Sequence, residues 1–329
     1  MGSLWGRLDD PAADAGHDQH LPRKGFFTDT SVCIGCKACE VACKEWNGVP
    51  ADGYELTGMS YDNTVQLSAN TWRHVAFIEQ PAPPRPTIDL GMPGSGPPGA
   101  ERVSAGTATG TREQAGAGAY AVDDVDLRDL AAGDQGAGDQ AGVRWLMESD
   151  VCKHCTHAGC LDVCPTGALF RTEFGTVVVQ EDICNGCGYC VPSCPYGVID
   201  VRKGDGRAFK CTLCYDRLKD DLTPACAKAC PTQSIQFGDL DELRERADAR
   251  LAQLHELGVD EARLYGRDPD DGVGGDGAFF LLLDEPETYG FPPDPVVTTR
   301  AMGSIWGHVG AAAATLVGIG IAAFIGVRR

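Results

Sequence analysis

Sixteen cysteines constrain this chain more than any other feature, because they are grouped rather than scattered. They fall into four quartets, each opening with C-x2-C and closing with C-x3-C. The first quartet is Cys33, Cys36, Cys39 and Cys43, and the third is Cys184, Cys187, Cys190 and Cys194, both with gaps of two, two and three. The second, Cys152, Cys155, Cys160 and Cys164, widens the middle gap to four. The fourth, Cys211, Cys214, Cys226 and Cys230, widens it to eleven. Zinc sites tend to repeat C-x2-C at both ends. The shared ends here point instead to one motif used four times, with an insertion in the last copy.

That motif suits an iron–sulfur cubane. A loop with two-residue gaps presents three thiolates to one cube, and the fourth, on the following helical turn, points away to a neighbouring cube. Thiolate is a soft, anionic ligand, which matches iron. Paired motifs of the bacterial ferredoxin type exchange their fourth ligand. Quartets two and three are close in sequence and form one natural pair. One cube then takes Cys152, Cys155, Cys160 and Cys194, and its partner takes Cys164, Cys184, Cys187 and Cys190. By elimination, quartets one and four form the other pair. It gives Cys33, Cys36, Cys39 and Cys230 to one cube and Cys43, Cys211, Cys214 and Cys226 to the other. Four 4Fe–4S clusters use every cysteine and leave none over.

The surroundings of the quartets repeat as well. Proline follows the last cysteine at Pro165, Pro195 and Pro231, and an apolar run follows each proline. Proline stops the preceding turn, and the run reads as a short strand. The stretch 167–180 reads as a hairpin with Gly175 in its turn. Lys37, Lys44, Lys153, Lys210 and Lys228 lie within a residue or two of a cysteine. They are either ordinary surface lysines or cations that favour a reduced cluster. His154 and His157 sit inside the second quartet, but the cysteine count already balances, so both read as neighbours of a cluster or surface groups.

The remainder holds no catalytic pair, phosphate loop or dinucleotide-binding glycine motif; the glycine-rich stretch 272–277 does not open a helix after a strand. Lys and Arg total 28 against 47 Asp and Glu, a formal charge of −19 that repels nucleic acid. The fold class expected is α+β: tandem bacterial-ferredoxin-like modules with small hairpins and short helices, plus one C-terminal transmembrane helix. Residues 1–24 read as a polar tail, and 25–238 as a double ferredoxin-like domain holding a flexible Gly/Ala/Pro/Asp-rich insertion at 81–142. Residues 239–300 read as a helix, capped by Asp239 and ended by Gly258, followed by an extended segment. Residues 301–329 read as an anchor: from Ile305 to Val327 there is no formal charge, and at about 1.5 Å per residue this run crosses roughly 30 Å of hydrocarbon.

Several stretches resemble a known family. "GFFTDTSVCIGCKACEVACKEWNGVP", "TWRHVAFIE", "WLMESDVCKHCTHAGCLDVCPTGALF", "CGYCVPSCPYGVI" and "FFLLLDEPETYGFPPDP" are similar to the iron–sulfur (beta) subunit of membrane-bound respiratory formate dehydrogenase, within the four-cluster beta subunits of molybdopterin oxidoreductases. The resemblance covers most of residues 25–329 and departs from the family at the insertion. It implies the same ligand exchange, including the pairing of quartets one and four. It also implies a non-catalytic subunit that relays electrons from a formate-oxidising molybdenum or tungsten pterin subunit to a membrane cytochrome b and quinone. The alternatives are the equivalent subunit of another molybdopterin oxidoreductase or of a membrane-bound nickel–iron hydrogenase. Outside electron transfer stand a cluster-based redox sensor and a zinc-stabilised scaffold.

Arg328 and Arg329 follow the anchor directly, so the positive-inside rule puts that end in the cytoplasm and the cluster domain on the outer face. No secretion signal is apparent at the start, so export would be alongside a partner that carries one. Protease added to intact spheroplasts is then expected to digest the cluster domain; a fully protected domain would contradict the outward orientation.

Overall fold

The computed structural model describes residues 11–18, 21–53, 61–62, 64–81 and 143–327. The expected insertion therefore lies outside the described residues except for Pro81. The chain divides into a compact unit of Met1–Ile78 with Leu146–Arg329 and a second unit of Glu79–Trp145. The cysteines all belong to the first.

Along the chain, α1 (Pro11–Asp14) precedes β1 (Lys24–Asp29), and α2 (Ala38–Asn47) carries Cys39 and Cys43. β2 (Arg73–Pro81) pairs with β3 (Val143–Val151). α3 (Gly159–Asp162), β4 (Leu169–Arg171), β5 (Val177–Val179) and α4 (Cys190–Ser193) follow. Next come β6 (Asp200–Val201), β7 (Ala208–Phe209), α5 (Tyr215–Lys219), α6 (Ala225–Ala229) and β8 (Ile235–Asp239). α7 (Leu240–Glu256), β9 (Arg263–Tyr265), β10 (Ala278–Leu282) and α8 (Met302–Val327) complete it. The apolar runs behind Pro165, Pro195 and Pro231 do lead into strands. β4 and β5 form the expected hairpin, with Gly175 at φ +72° in its turn. β6 pairs with β7, and β8 joins a larger sheet.

That sheet, ordered β8-β1-β10-β9, adds to the small hairpins expected from sequence. β1 runs parallel to β10, with Phe27 opposite Phe279, and antiparallel to β8. The run 278–282 shows no polar alternation because both faces of β10 are buried. Successive side chains point to opposite faces. Phe27, Phe279 and Leu281 therefore meet Leu240, Leu243, Ala247 and Leu254 of α7. Phe26, Phe280 and Leu282 face the core that contains Cys39, Cys43, Cys152, Cys211 and Cys226. The sheet is thus a wall with one helix behind it and the cysteine loops in front.

α7 starts where the sequence suggests, but Asp239 does not cap it through its side chain. Its carboxylate pairs with Lys24 at the start of β1 instead, so it joins strand to helix. Gly258 does end the helix, at φ +80°. Within the stretch read as a polar tail, Ala12 is buried, and a His17 ring nitrogen lies 2.8 Å from the Arg171 carbonyl oxygen.

The four C-x2-C turns share one backbone feature. The residue before the second cysteine is left-handed in each: Gly35 (φ +63°), His154 (+46°), Gly186 (+72°) and Leu213 (+56°). Glycine adopts this conformation freely, and other residues need support from packing. His154 and Leu213 have it, being almost completely buried.

α8 is a single continuous helix, and its apolar window, Gly303–Ile325, is not covered by the rest of the chain among the described residues. It begins slightly earlier than the run read from sequence.

Gly186→Ala would strain the φ and drive a Cβ into the Gly206 carbonyl oxygen. Gly188→Ala (φ +74°) meets nothing nearer than Val201 Cγ2 at 4.0 Å. Each costs about 1–2 kcal/mol in backbone conformation, so Gly186→Ala is expected to lower the thermal midpoint of the anaerobic protein further than Gly188→Ala. Leu243→Ala, at a site with 0% exposure, is expected to cost about 2–5 kcal/mol in denaturant unfolding.

Candidate cluster-binding site

All sixteen cysteines are free thiols. The fold brings them together across the boundaries of their quartets. In the pair made by quartets two and three, two cavities collect the thiols. One, with about 350 Å³ of space free of protein atoms, is lined by Cys152, Cys155, Cys160 and Cys194. The other, of about 310 Å³, is lined by Cys164, Cys184, Cys187 and Cys190. Each gathers three thiols of one quartet and the last thiol of the other.

Quartets one and four meet where α2 packs on α6. Burial pushes the Cys33 thiol up to about 12, with Cys39 and Cys230 among the groups adding to the push. Burial also raises Cys43, with Cys226 and Cys214 adding to it. Cys211 is raised by burial and then by Cys43, Cys152, Cys214 and Cys226. The influence also runs between sets: Cys226 acts on Cys39, Cys152 on Cys211, and Cys190 on Cys160.

These surroundings fit a cubane better than a single ion. Among the described residues, no three His, Cys, Asp or Glu side chains converge on one ion position. The thiols stand instead around the walls of cavities. Burial raises the proton affinity of Cys33, Cys43 and Cys211 among others, so binding metal there must displace protons, since only thiolate is a ligand.

Donors are ready for the sulfurs. Leu213 N donates to Cys211 Sγ at 3.3 Å, and Ala208 N to Cys184 Sγ at 3.4 Å. Asn47 Nδ2 reaches Cys43 Sγ at 3.8 Å and Cys214 Sγ at 3.9 Å. Behind the prolines, the backbone N–H groups of Thr166, Ala168 and Leu169 turn toward Cys164. Those of Tyr196, Gly197 and Val198 turn in the same way toward Cys194. The proline forces the turn, and the next residues supply the donors. Such bonds raise cluster potentials by favouring the more negative reduced state.

The structure separates the five lysines. Lys44 pairs with Asp52, and Lys37 lies 3.3 Å from Glu40. Lys153 is buried, paired with Asp150, and stands 4.2 Å from the Phe291 ring centroid. Lys210 is also buried; its Nζ donates to the carbonyl oxygens of Val177 and Cys211. Burial lowers its proton affinity, but Cys152, Cys160 and Cys211 outweigh that and raise it. Lys228 is exposed.

His154 is buried and lines the larger cysteine cavity. Its Nδ1 accepts from Val177 N at 3.1 Å, which leaves the proton on Nε2, a buried donor without a partner. An orphaned donor at a thiol-lined cavity suits a sulfur-rich occupant. His157 is half-buried.

Three buried charges carry no signal in the sequence. Asp276 accepts from Tyr196 Oη at 2.8 Å, and burial pushes its carboxyl up to about 8. Burial, then Asp150, holds the Glu148 carboxyl well above its ordinary range. Arg73 lies beside α2 thiols on β2. No spacing rule marks these residues as buried.

Comparison with known proteins agrees with the thiol geometry. Two family profiles, both described as "4Fe-4S dicluster domain", match residues 32–168 and 143–240. The chain is 34% identical over 282 residues to "Formate dehydrogenase, nitrate-inducible, iron-sulfur subunit" of Escherichia coli (strain K12), covering 84% of this chain and 74% of that one. It is 35% identical over 274 residues to "Formate dehydrogenase iron-sulfur subunit" of Haemophilus influenzae, covering 82% and 68%. A subunit of the anaerobic dimethyl sulfoxide reductase of Escherichia coli (strain K12) is 28% identical over 222 residues, covering 68% and 76%. With four thiol quartets folded in this way and that likeness along most of its length, the chain belongs to the family of formate dehydrogenase iron–sulfur subunits.

Proposed function

We propose that this electron-transfer subunit carries electrons from a formate-oxidising pterin subunit, through four 4Fe–4S clusters, to a membrane cytochrome b and quinone. Cys33, Cys36, Cys39 and Cys230 hold the first cluster, and Cys43, Cys211, Cys214 and Cys226 the second. Cys152, Cys155, Cys160 and Cys194 hold the third, and Cys164, Cys184, Cys187 and Cys190 the fourth. When bound, each cluster accepts and gives up one electron at a time.

The observation that carries this reading is the pattern of exposure along the thiol sets. Cys36 and Cys187 are the two exposed cysteines, and they fall in the first and fourth sets. Cys43, Cys211, Cys214 and Cys226, the whole second set, are buried. The proximities of Cys39 to Cys226, Cys211 to Cys152, and Cys160 to Cys190 support a row in the order first to fourth. A relay needs this arrangement: insulated in the middle, approachable at its ends. Exposed apolar side chains flank both ends, Ile34 and Val41 near Cys36, and Ile183 and Tyr189 near Cys187. These suit docking to partner subunits.

The chain's own residues supply the thiolates, the N–H donors and the dry packing around them. Protons need not cross this scaffold for an electron to pass. α8 serves as a single-pass anchor in the lipid bilayer through residues 305–327, with the cluster domain on the outer face and Arg328 and Arg329 in the cytoplasm. Higher identity and longer coverage among formate dehydrogenase subunits favour formate over dimethyl sulfoxide as the partner's substrate.

Anaerobic extraction in detergent is expected to yield about sixteen iron atoms per chain, no zinc, and a co-purifying pterin subunit. Substantially less iron, or a zinc ion at the fourth quartet, would overturn the relay. A co-purifying reductase for another substrate would move the chain to a sister complex.

A further inference from the structure

Arg73 is 1% exposed. Its Nη1 donates to the Ser149 carbonyl oxygen at 3.1 Å and to Ser149 Oγ at 2.9 Å. That hydroxyl in turn lies 3.2 Å from Cys39 Sγ. The guanidinium carbon is 5.0 Å from the Phe26 ring centroid, so an aromatic face closes one side. Nε and Nη2 are buried and have no hydrogen-bond partner.

A buried guanidinium ordinarily sits on a carboxylate that offsets its desolvation. Here the groups that act most strongly on Arg73 are the thiols of Cys226, Cys39, Cys211 and Cys43. Glu148 also feels Arg73, but its burial favours the neutral carboxyl. Phe26, on which Arg73 lies, shares its core with Cys39, Cys43, Cys211 and Cys226, so the negative charge nearest the guanidinium is that of these thiolates and of what they bind. In the assignment above, Cys39 belongs to the first cluster, and Cys43, Cys211 and Cys226 belong to the second.

We propose that the Arg73 guanidinium is a counter-charge shared by the first and second clusters, raising the reduction potential of both. The proposal rests on the four-cluster reading. Arginine stays protonated in proteins, so the charge is constant at any working pH. In a water-poor interior its attraction for an added electron is much stronger than in water. Its two unpartnered nitrogens, Nε and Nη2, would offer N–H donors to a sulfur-rich occupant, a second contribution of the same sign. With Cys39 holding the first cluster and Cys43, Cys211 and Cys226 the second, the fixed charge of Arg73 would balance an electron on either one without a proton.

The test compares wild type, Arg73→Gln and Arg73→Lys as full chains in their complex. Iron per chain is measured first, then the four midpoint potentials by redox titration followed by electron paramagnetic resonance. Arg73→Gln is expected to keep wild-type iron and to shift two of the four potentials downward, leaving the other two in place. Arg73→Lys is expected to restore most of that shift. If Arg73→Gln does not retain its iron, Arg73→Met gives the same reading, since an apolar side chain of similar length leaves no unpaired amide in the core. Full iron with unchanged potentials overturns the proposal, as does an equal shift in all four, or a lysine variant that falls as far as the uncharged one. Wild-type protein lacking the iron of four clusters defeats the cluster reading itself, a separate result.

Discussion

Hydrogen bonds from backbone N–H groups to cysteine sulfur are the interactions on which the cysteine loops depend. A loop that wraps a sulfur-rich body cannot use its donors in a helix or sheet ladder, and buried donors must go somewhere. The left-handed residue before each second cysteine turns the chain so that this becomes possible. At Gly35 and Gly186 the conformation is easy; at His154 and Leu213 it is held by complete enclosure. The turns behind Pro165 and Pro195 repeat the device on the last cysteine of a quartet. Spacing, proline and left-handed turn are therefore parts of one solution, the left-handed turn used four times and the proline three.

Much of this is legible in the order of the residues alone. The gaps between cysteines are a geometric code, and the proposed exchange of fourth thiols between quartets is read from it. The two cavities gather the same groups of four that the spacing suggests for quartets two and three. Strands behind the prolines are legible because apolar residues follow a residue that stops a turn. The four-stranded sheet is not, because β1 and β10 lie far apart in sequence, and a strand buried on both faces shows no alternation. Asp239 has the right residue type for a cap, yet its carboxylate goes to Lys24, a tertiary partner that local pattern cannot anticipate. Lys210 and Lys44 look alike in sequence, each adjacent to a cysteine. One is buried among thiols and the other pairs with Asp52.

The electrostatics of surface and interior run in opposite senses. The chain carries a net formal charge of −19, while Arg73, Lys153 and Lys210 are cations in the interior around the thiols. A burden of cluster charge sealed inside an acidic protein is made tolerable by such cations and by oriented N–H groups. The same groups bias each site toward accepting an electron. One collection of side chains therefore contributes both to holding the clusters and to their redox behaviour.

β1 pairs with β8 on one side and with β10 on the other. Both neighbours are synthesised long after β1 has left the ribosome. An early segment that has no partner until late segments arrive leaves an apolar edge, Phe26 and Phe27, waiting while the cysteine loops are being made. The wall behind those loops can close only once β10 has emerged. Completing the sheet behind the cysteine loops is therefore a late step for a chain made from its N-terminus.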